Sequence, residues 1–173
     1  MTGDDFAEIV NLLNLYSFAI DVLRLDLFDR VFTADTIVDY GFGGRWTDLE
    51  SFKRDFTTSH ARLDSTQHTV ANHQVIVKGD RANAVAYVIA RLMRHVPQGG
   101  VDYLQVGGWY DDTLVRTSAG WRIKTRVCKL NWSEGNPRAI ETAPGMQAKP
   151  EATSLRREAD AGTIAYLKAL QGR

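Results

Sequence analysis

The sequence predicts an α+β domain in which a strongly bent antiparallel sheet wraps around helices near the start of the chain. Apolar residues recur at helical spacing in the first sixty positions, whereas long runs rich in β-branched and aromatic residues follow residue 67. Tight turns join these runs in pairs, as in antiparallel hairpins. A Gly107-Gly108 pair inside the third run predicts a bulge, which bends a sheet.

The first helix is predicted from one broad apolar face, and Asp4 and Asp5 can cap its start. The residues of this face are Ile9, Leu12, Leu13, Tyr16, Ile20 and Leu23. A shorter helical stretch is expected over residues 26–32, followed by a strand over 36–40 that ends at a group of glycines. The run Thr47-Asp48-Leu49-Glu50 fits a capping box, so a second helix should extend to about residue 60.

Four long strands and a terminal helix complete the predicted elements. The strands pair as two hairpins, 67–78 with 82–95 and 102–117 with 121–132. A polar segment with three prolines precedes a helix over 155–170, which could pack Ile164, Leu167 and Leu170 on the domain or on a partner subunit. We therefore expect one domain over residues 1–135 and a C-terminal extension over 136–173.

Length, composition and charge indicate one soluble domain. The 173 residues are 44% hydrophobic, and 21 basic residues balance 21 acidic ones, which argues against a nucleic-acid or anionic-membrane surface. The single Cys128 excludes an internal disulfide and any metal pattern that needs two cysteines. The first residues carry two acids where a secretory signal would carry bases, so a cytoplasmic protein is expected.

Three motifs carry a family resemblance. They are a Tyr-x4-Asp pattern at Tyr16 and Asp21 in the first helix, a His-x3-Asn pattern at His68 and Asn72, and the hairpin GGWYDDTLVRTSAGWRI. With Tyr40 in the run IVDYG, they resemble the cone-shaped, cystatin-like nuclear transport factor-like superfamily. The resemblance is to its SnoaL-like branch, which contains scytalone dehydratase, bile-acid dehydratase and a hexachlorocyclohexane dehydrochlorinase.

The resemblance implies that a histidine and an aspartate face each other in the cone and remove a proton next to a carbonyl. Asp21 and His68 would form this dyad, and Tyr16 and Tyr40 would line the pocket. It implies no metal or organic cofactor, and a homodimer or homotrimer that covers the exposed sheet face. Four residues separate the tyrosine from the aspartate, whereas the two are adjacent in scytalone dehydratase, so the substrate does not carry over.

The chemistry of these residue types supports the same assignment. A neutral imidazole is a natural general base near pH 7, and a carboxylate that accepts its other N–H fixes the tautomer. A tyrosine hydroxyl or a cation could stabilise an enolate oxygen, and Tyr16, Tyr40 and Arg126 are candidates. Because positions five apart on a helix differ by roughly 140°, Tyr16 and Asp21 can face one site only if the helix ends near Asp21.

Three further residues are weaker candidates for the site, and some of the residues named above could instead have a purely structural role. His95, Arg126 and Asn72 are candidates for substrate binding, although Arg126 shares strand parity with Arg122 and Lys124 and could lie on a solvated face. Asp21 could pair with Arg24 in solvent. Tyr16 could be plain core, and Tyr40 could be plain turn packing.

Rival histidines fit the predicted pocket less well. His73 has the opposite strand parity to His68, and His60 falls at the expected end of a helix. The histidines show no ligand spacing that would favour a metal site.

Three functions remain open at this point. The first is a cofactor-independent lyase of the dehydratase type that acts on a small, hydrophobic, cyclic or polyketide-like carbonyl compound. The second is an isomerase or cyclase that uses the same proton abstraction. The third is a non-catalytic cone that binds a small ligand or a protein.

Overall fold

The computed structural model describes residues 3–95, 99–140 and 152–172. The helices are α1 (Gly3–Asp21), α2 (Leu49–His60), α3 (Leu155–Asp160) and α4 (Ala165–Gln171). The strands are β1 (Phe32–Asp39), β2 (Arg45–Trp46), β3 (Ser65–Lys78), β4 (Arg81–His95), β5 (Val101–Thr117) and β6 (Gly120–Gly135). Short 3₁₀ turns cover Leu25–Arg30, Gly41–Gly43 and Pro137–Ile140.

The six strands form one sheet in the order β2-β1-β6-β5-β4-β3. Every neighbouring pair is antiparallel except β1 and β6, which run parallel. The α+β class and the two long hairpins are therefore confirmed. The division of the chain at residue 135 stays a prediction.

Two glycines allow the sheet to bend at the predicted bulge. The pairing of β5 with β6 shifts register between Gly107 and Gly108. A side chain at Gly107 would overlap the indole of Trp132, and one at Gly108 would overlap the carbonyl oxygen of Lys129. The backbone of β6 can approach β5 this closely only because both side chains are missing.

The inner face of the sheet packs against α1, α2 and the first 3₁₀ turn. Its core contains a row of aromatic rings: Phe28 stacks on Tyr16 with centroids 5.1 Å apart and on Phe52 at 5.3 Å, and Phe52 meets Phe56 at 4.5 Å. On β4, small side chains alternate inward, with Ala82, Ala84 and Ala86 all buried. This alternation leaves room for the helices inside the curved sheet.

Some predicted details of the helix ends are wrong. Asp4 and Asp5 lie inside the first turn of α1 instead of before it, where carboxylates still favour the positive end of the helix dipole. Asp48, not Thr47, caps α2, because its side chain accepts the amide of Ser51 at 2.8 Å. The predicted end of α2 at His60 is confirmed.

The predicted C-terminal helix is in fact two short helices. Gly162 has φ +64°, a left-handed conformation that ends α3 and turns the chain before α4. Ile164 is buried as expected, whereas Leu167 is half-buried and Leu170 is 43% exposed. Within the described ranges, no helix is long and apolar enough to cross a membrane.

Candidate functional site

Asp21 and His68 are hydrogen-bonded to each other. Asp21 is the last residue of α1, and its Oδ1 accepts from His68 Nδ1 at 2.7 Å. The same oxygen accepts from Thr66 Oγ1 at 2.7 Å, and Oδ2 accepts the backbone amide of His68 at 2.9 Å. The side chain of His68 is 7% exposed and that of Asp21 is 23% exposed. Strand β3 thus holds the Asp21 carboxylate through three donors, one from Thr66 and two from His68.

The end of α1 allows Asp21 to face the strand. Leu23 has φ 51°, and the amides of Leu23 and Arg24 donate to carbonyls of the last helical turn at 2.9 and 2.8 Å. This is a Schellman motif with a leucine where glycine is usual. The helix ends at Asp21, and the two side chains bind different partners: Asp21 bonds to His68, and Tyr16 bonds to Tyr40. Arg24 pairs with Asp26 at 2.7 Å instead of with Asp21.

The hydrogen bonds favour an ionised Asp21 and set the tautomer of His68. Burial alone would raise the pKa of Asp21, but the hydrogen bonds from His68 and Thr66 outweigh it and lower that pKa. An ionised Asp21 can only accept a hydrogen bond from Nδ1, so in the neutral tautomer of the imidazole Nδ1 carries the hydrogen. Nε2 of His68 then presents a lone pair and can accept a proton from a substrate.

His60 is a second histidine beside this pair, although its place at a helix end did not favour it in the sequence. Its ring stacks on Phe56 with centroids 4.8 Å apart, and Nδ1 lies 3.0 Å from the Phe56 carbonyl oxygen. A carbonyl only accepts, so Nδ1 carries the hydrogen. Burial lowers the pKa of His60 to about 4, and the charges of His68 and Asp21 act on it from nearby. His60 therefore stays neutral at physiological pH.

We expect His60 to make the protein less stable in acid. The unfolded chain binds a proton at this histidine near pH 6.5 and the folded chain only near pH 4, so stability is lost as the pH falls between these values. The loss from pH 7 to 4.5 should be about 2–3 kcal/mol in the free energy of unfolding. Urea titrations at both pH values give this loss for wild type and for His60→Gln. The contribution of His60 is the loss in wild type minus the loss in the variant.

The matched control for this experiment is His95→Gln, because His95 is exposed. That variant keeps His60 and should therefore still show the loss of stability between pH 7 and 4.5 that His60 causes. If His60→Gln and wild type lose the same stability between pH 7 and 4.5, His60 is solvated in the folded protein.

Three tyrosines and an arginine form a buried polar cluster on the same inner face. The hydroxyls of Tyr16 and Tyr40 are hydrogen-bonded to each other, and the Tyr110 ring packs edge-on against Tyr16 with centroids 5.7 Å apart. The Arg126 guanidinium carbon lies 4.2 Å from the Tyr16 ring centroid and 4.1 Å from that of Tyr110. Burial raises the pKa of Tyr16 to about 12 despite the nearby Arg126 charge, so this hydroxyl keeps its proton at neutral pH.

Arg126 is fully buried and paired with Asp112. Its Nε and Nη2 donate to the two carboxylate oxygens at 2.8 and 2.7 Å, and both side chains are 0% exposed. Its Nη1 has no hydrogen-bond partner among the described residues. The solvated face considered for Arg126 is wrong, because the pairing of β5 with β6 shifts between Thr113 and Leu114 and turns Arg126 inward.

Phe56 connects the two groups of polar residues. It packs edge-on against Tyr40 with centroids 5.6 Å apart, and it also stacks on the His60 ring. We call the two groups and Phe56 the inner site; its polar members are Asp21, His68, His60, Tyr16, Tyr40, Tyr110 and Arg126. It contains one imidazole able to take a proton, tyrosine hydroxyls and one guanidinium able to donate hydrogen bonds. Among the described residues, no three His, Cys, Asp or Glu side chains form a metal-binding group.

Two predicted substrate-binding residues lie elsewhere. The His95 side chain is 71% exposed at the end of β4, and its Nδ1 lies 3.2 Å from Asp64. Asn72 is exposed at a bulge in β3, with φ 54°, and it lines a pocket on the outer face of the sheet. The same bulge changes the strand parity, so the Nε2 atom of His73 is buried, without a partner in the described ranges. The structure therefore brings neither His95 nor Asn72 to the inner site.

A pocket of about 220 Å³ lies beside Tyr40. Its walls include Cys128 and Lys129 on β6 and Arg157 on α3. Burial raises the pKa of the Cys128 thiol to about 12, so the thiol is protonated and a poor nucleophile at neutral pH. The pocket gives one edge of the inner site contact with the outside.

The fold and these polar groups define a small cone-shaped α+β domain with an aspartate–histidine pair inside. A family model described as the SnoaL-like domain matches residues 2–127. The uncharacterized protein Mb2934c of Mycobacterium bovis is 36% identical over 127 residues, which are 71% of this chain and 83% of that protein. The chain belongs to the SnoaL-like family, and the predicted resemblance is confirmed.

Solved structures show the same fold. The Kfla4162 protein from Kribbella flavida has a TM-score of 0.71 and 29% identity over 76% of this chain and 93% of its own. A type 2 hexachlorocyclohexane dehydrochlorinase has a TM-score of 0.65 and 15% identity, with 81% of this chain and 94% of its own covered. At this low identity the second likeness concerns the fold alone.

Proposed function

We propose that the protein is a cofactor-independent lyase of the dehydratase type, which acts on a small cyclic or polyketide-like carbonyl compound. The observation that carries the proposal is the 2.7 Å hydrogen bond between Asp21 and His68 Nδ1. It leaves Nε2 of a neutral imidazole available as a base, with a carboxylate behind it that stabilises the imidazolium once formed.

The proposed reaction begins with proton transfer. His68 Nε2 takes the proton from the carbon next to the substrate carbonyl, and the C–H electrons form an enolate. Tyr40 or Tyr16 and the Arg126 Nη1 atom donate hydrogen bonds to the enolate oxygen. Each well-placed donor of this kind is worth about 2–4 kcal/mol in the transition state. The raised pKa of Tyr16 supports this role, because a protonated hydroxyl can donate.

The elimination then completes the proton balance. The enolate electrons return to form a carbon–carbon double bond as the carbon–oxygen bond to the β-hydroxyl breaks. The imidazolium of His68 gives its proton to the departing hydroxyl, which leaves as water, and the base is restored. The same fold also carries a protein named as a dehydrochlorinase, and dehydrochlorination is likewise an elimination.

An isomerase or cyclase is the second candidate. His60 is the other imidazole in the inner site, and with a pKa of about 4 it does not supply a proton to a leaving hydroxyl at neutral pH. Enolate formation followed by return of the proton to another carbon needs no such donor. A substrate whose hydroxyl lies beyond the reach of His68 Nε2 would therefore follow this second course, which keeps the oxygen in the molecule.

Deuterium exchange separates these reactions. Wild-type protein is incubated in D2O with cyclic β-hydroxyketones and with the matching ketones without the hydroxyl, and products are followed by NMR. An unsaturated ketone formed only from the hydroxyketones supports a lyase. Deuterium uptake or a moved double bond without loss of oxygen supports an isomerase. The absence of both exchange and product would contradict catalysis and favour a non-catalytic binding cone.

A further inference from the structure

A second pocket lies on the outer face of the sheet, away from the inner site. It has a volume of about 550 Å³ and lies between strands β3 and β4 on one side and helices α3 and α4 on the other. Both helices follow residue 127, where the match to the SnoaL-like family model ends. The C-terminal part of the chain therefore builds half of a pocket that the family domain does not include.

The walls of this outer pocket are mainly apolar. Val85 and Tyr87 come from β4, and Leu155, Ile164 and Leu167 come from the two helices. Tyr87 remains 46% exposed, and Leu155 and Leu167 are only half-buried. A pocket of this size and lining is typical of sites for small apolar molecules.

Hydrogen bonds hold helix α4 beside the pocket. The buried Asp111 carboxylate on β5 accepts the amides of Ala165 and Tyr166, at 2.6 and 3.2 Å, and so caps α4 from the sheet. At the far end of α4, Lys78 Nζ donates to the carbonyl oxygen of Gly172 at 3.0 Å. The α4 wall is therefore positioned by contacts made outside the pocket, as in a preformed site.

Three polar side chains complete the lining. Asn72 and Gln74 come from β3, and Arg156 comes from α3. Asn72 has φ 54° at the bulge of β3, which displaces its backbone from the regular strand. No hydrogen bond or ion pair joins any of the three side chains to another described residue. One cation and two amide groups thus border an apolar pocket.

We propose that the outer pocket binds a small amphipathic acid, with an apolar body between β4 and the helices and an anionic group against Arg156. The charge and the amide donors favour an anion over a neutral polar group, because a guanidinium pairs with carboxylate or sulfonate oxygens. The apolar walls favour an alkyl or aromatic body of about ten carbon atoms. This binding is independent of the reaction proposed for the inner site.

Two probes and three variants test the proposal. The probes are 8-anilinonaphthalene-1-sulfonate, followed by fluorescence, and decanoate, followed by calorimetry and by competition with the first probe. Arg156→Gln removes the cation, and Ala159→Trp places a large side chain in the pocket. Arg157→Gln is the matched control, because Arg157 is the next residue on α3 but lines the pocket beside Tyr40.

We expect one saturable site per chain at which each probe displaces the other. Arg156→Gln should weaken both probes about tenfold, the loss expected for one exposed charge-assisted contact. Ala159→Trp should abolish binding, and Arg157→Gln should leave it unchanged. Decanol should bind wild type about tenfold more weakly than decanoate and should bind Arg156→Gln with the same affinity as wild type. An unchanged near-UV circular dichroism spectrum in the two arginine variants, and an unchanged far-UV spectrum and melting temperature in Ala159→Trp, exclude loss of the fold as the cause.

Several results would overturn the proposal. One is the absence of saturable binding to wild type, and another is equal affinity in wild type and Ala159→Trp, which would place the probe elsewhere. Light scattering provides a further test: a dimer that dissociates when the probe binds would show that a second copy of the chain is the natural occupant. Asp21→Asn should bind both probes as wild type does, whatever its activity.

Discussion

His68→Ala is expected to lower kcat about 1,000-fold on a substrate found by the deuterium screen, with KM changed little. The reason is that Nε2 of His68 acts in proton transfer, so its loss raises the transition state more than the bound substrate. The backbone amide of His68 still donates to Asp21, and the variant should therefore fold. Steady-state kinetics and the rate of deuterium uptake measure the effect.

Asp21→Asn should reduce kcat by a similar factor, and the double variant should be no worse than either single one. An asparagine keeps the shape of Asp21 but loses the charge that stabilises the imidazolium, so the two residues act as one unit. Asp26→Asn is the matched control, because Asp26 is exposed and forms an ion pair with Arg24 at 2.7 Å, away from His68. Full activity in either His68→Ala or Asp21→Asn would disprove the proposed mechanism.

The elements of the fold were predictable where a periodic pattern was long. The apolar face of α1 and the four long strands each repeat over ten or more residues, so one irregular position does not hide the pattern. The Gly107-Gly108 bulge was predictable because glycine weakens a long strand and is favoured there mainly where the backbone bends or another chain segment approaches closely. The parallel pairing of β1 with β6 was not predictable, because the sequence of a short strand does not show which strand it pairs with.

Strand parity failed where a bulge adds one residue. Alternation predicted that Arg126 shares a face with Arg122 and Lys124, but the irregularity near Leu114 moves Arg126 to the inner face. The bulge at Asn72 has the same effect on β3. Neither bulge contains a glycine that would indicate it in the sequence. A bulge without glycine depends on how the strands pair across the sheet, and a single sequence does not show this pairing.

The candidate site was predictable only as far as its local signals reached. The juxtaposition of Asp21 and His68 depends on where α1 ends, and the residue that ends it is Leu23, with φ 51°. A leucine gives no sign of a left-handed conformation. His60 was interpreted as a helix-end residue, although its spacing of four from Phe56 would have placed both on one helix face.

Arg126→Met should destabilise the protein by about 3–5 kcal/mol. The substitution removes the partner of Asp112, which is 0% exposed and would remain as an unpaired charge in the core. Arg24→Met is the control, since Arg24 and Asp26 form an exposed pair, and solvent screening leaves such a pair little effect on stability. Urea denaturation at pH 7 measures both values. Equal small losses in the two variants would show that solvent reaches the Arg126 pair.

Replacing both members of this pair separates its two roles. The double variant Asp112→Leu, Arg126→Met carries no unpaired charge, so it should regain most of the stability that Arg126→Met loses. Like Arg126→Met, it should have a kcat about 100- to 1,000-fold below that of wild type, because the guanidinium donor proposed for the enolate oxygen is absent in both variants. A double variant that recovers both stability and activity would show that Arg126 is purely structural. A stable but inactive double variant would show that the buried charge is retained for chemistry and not for folding.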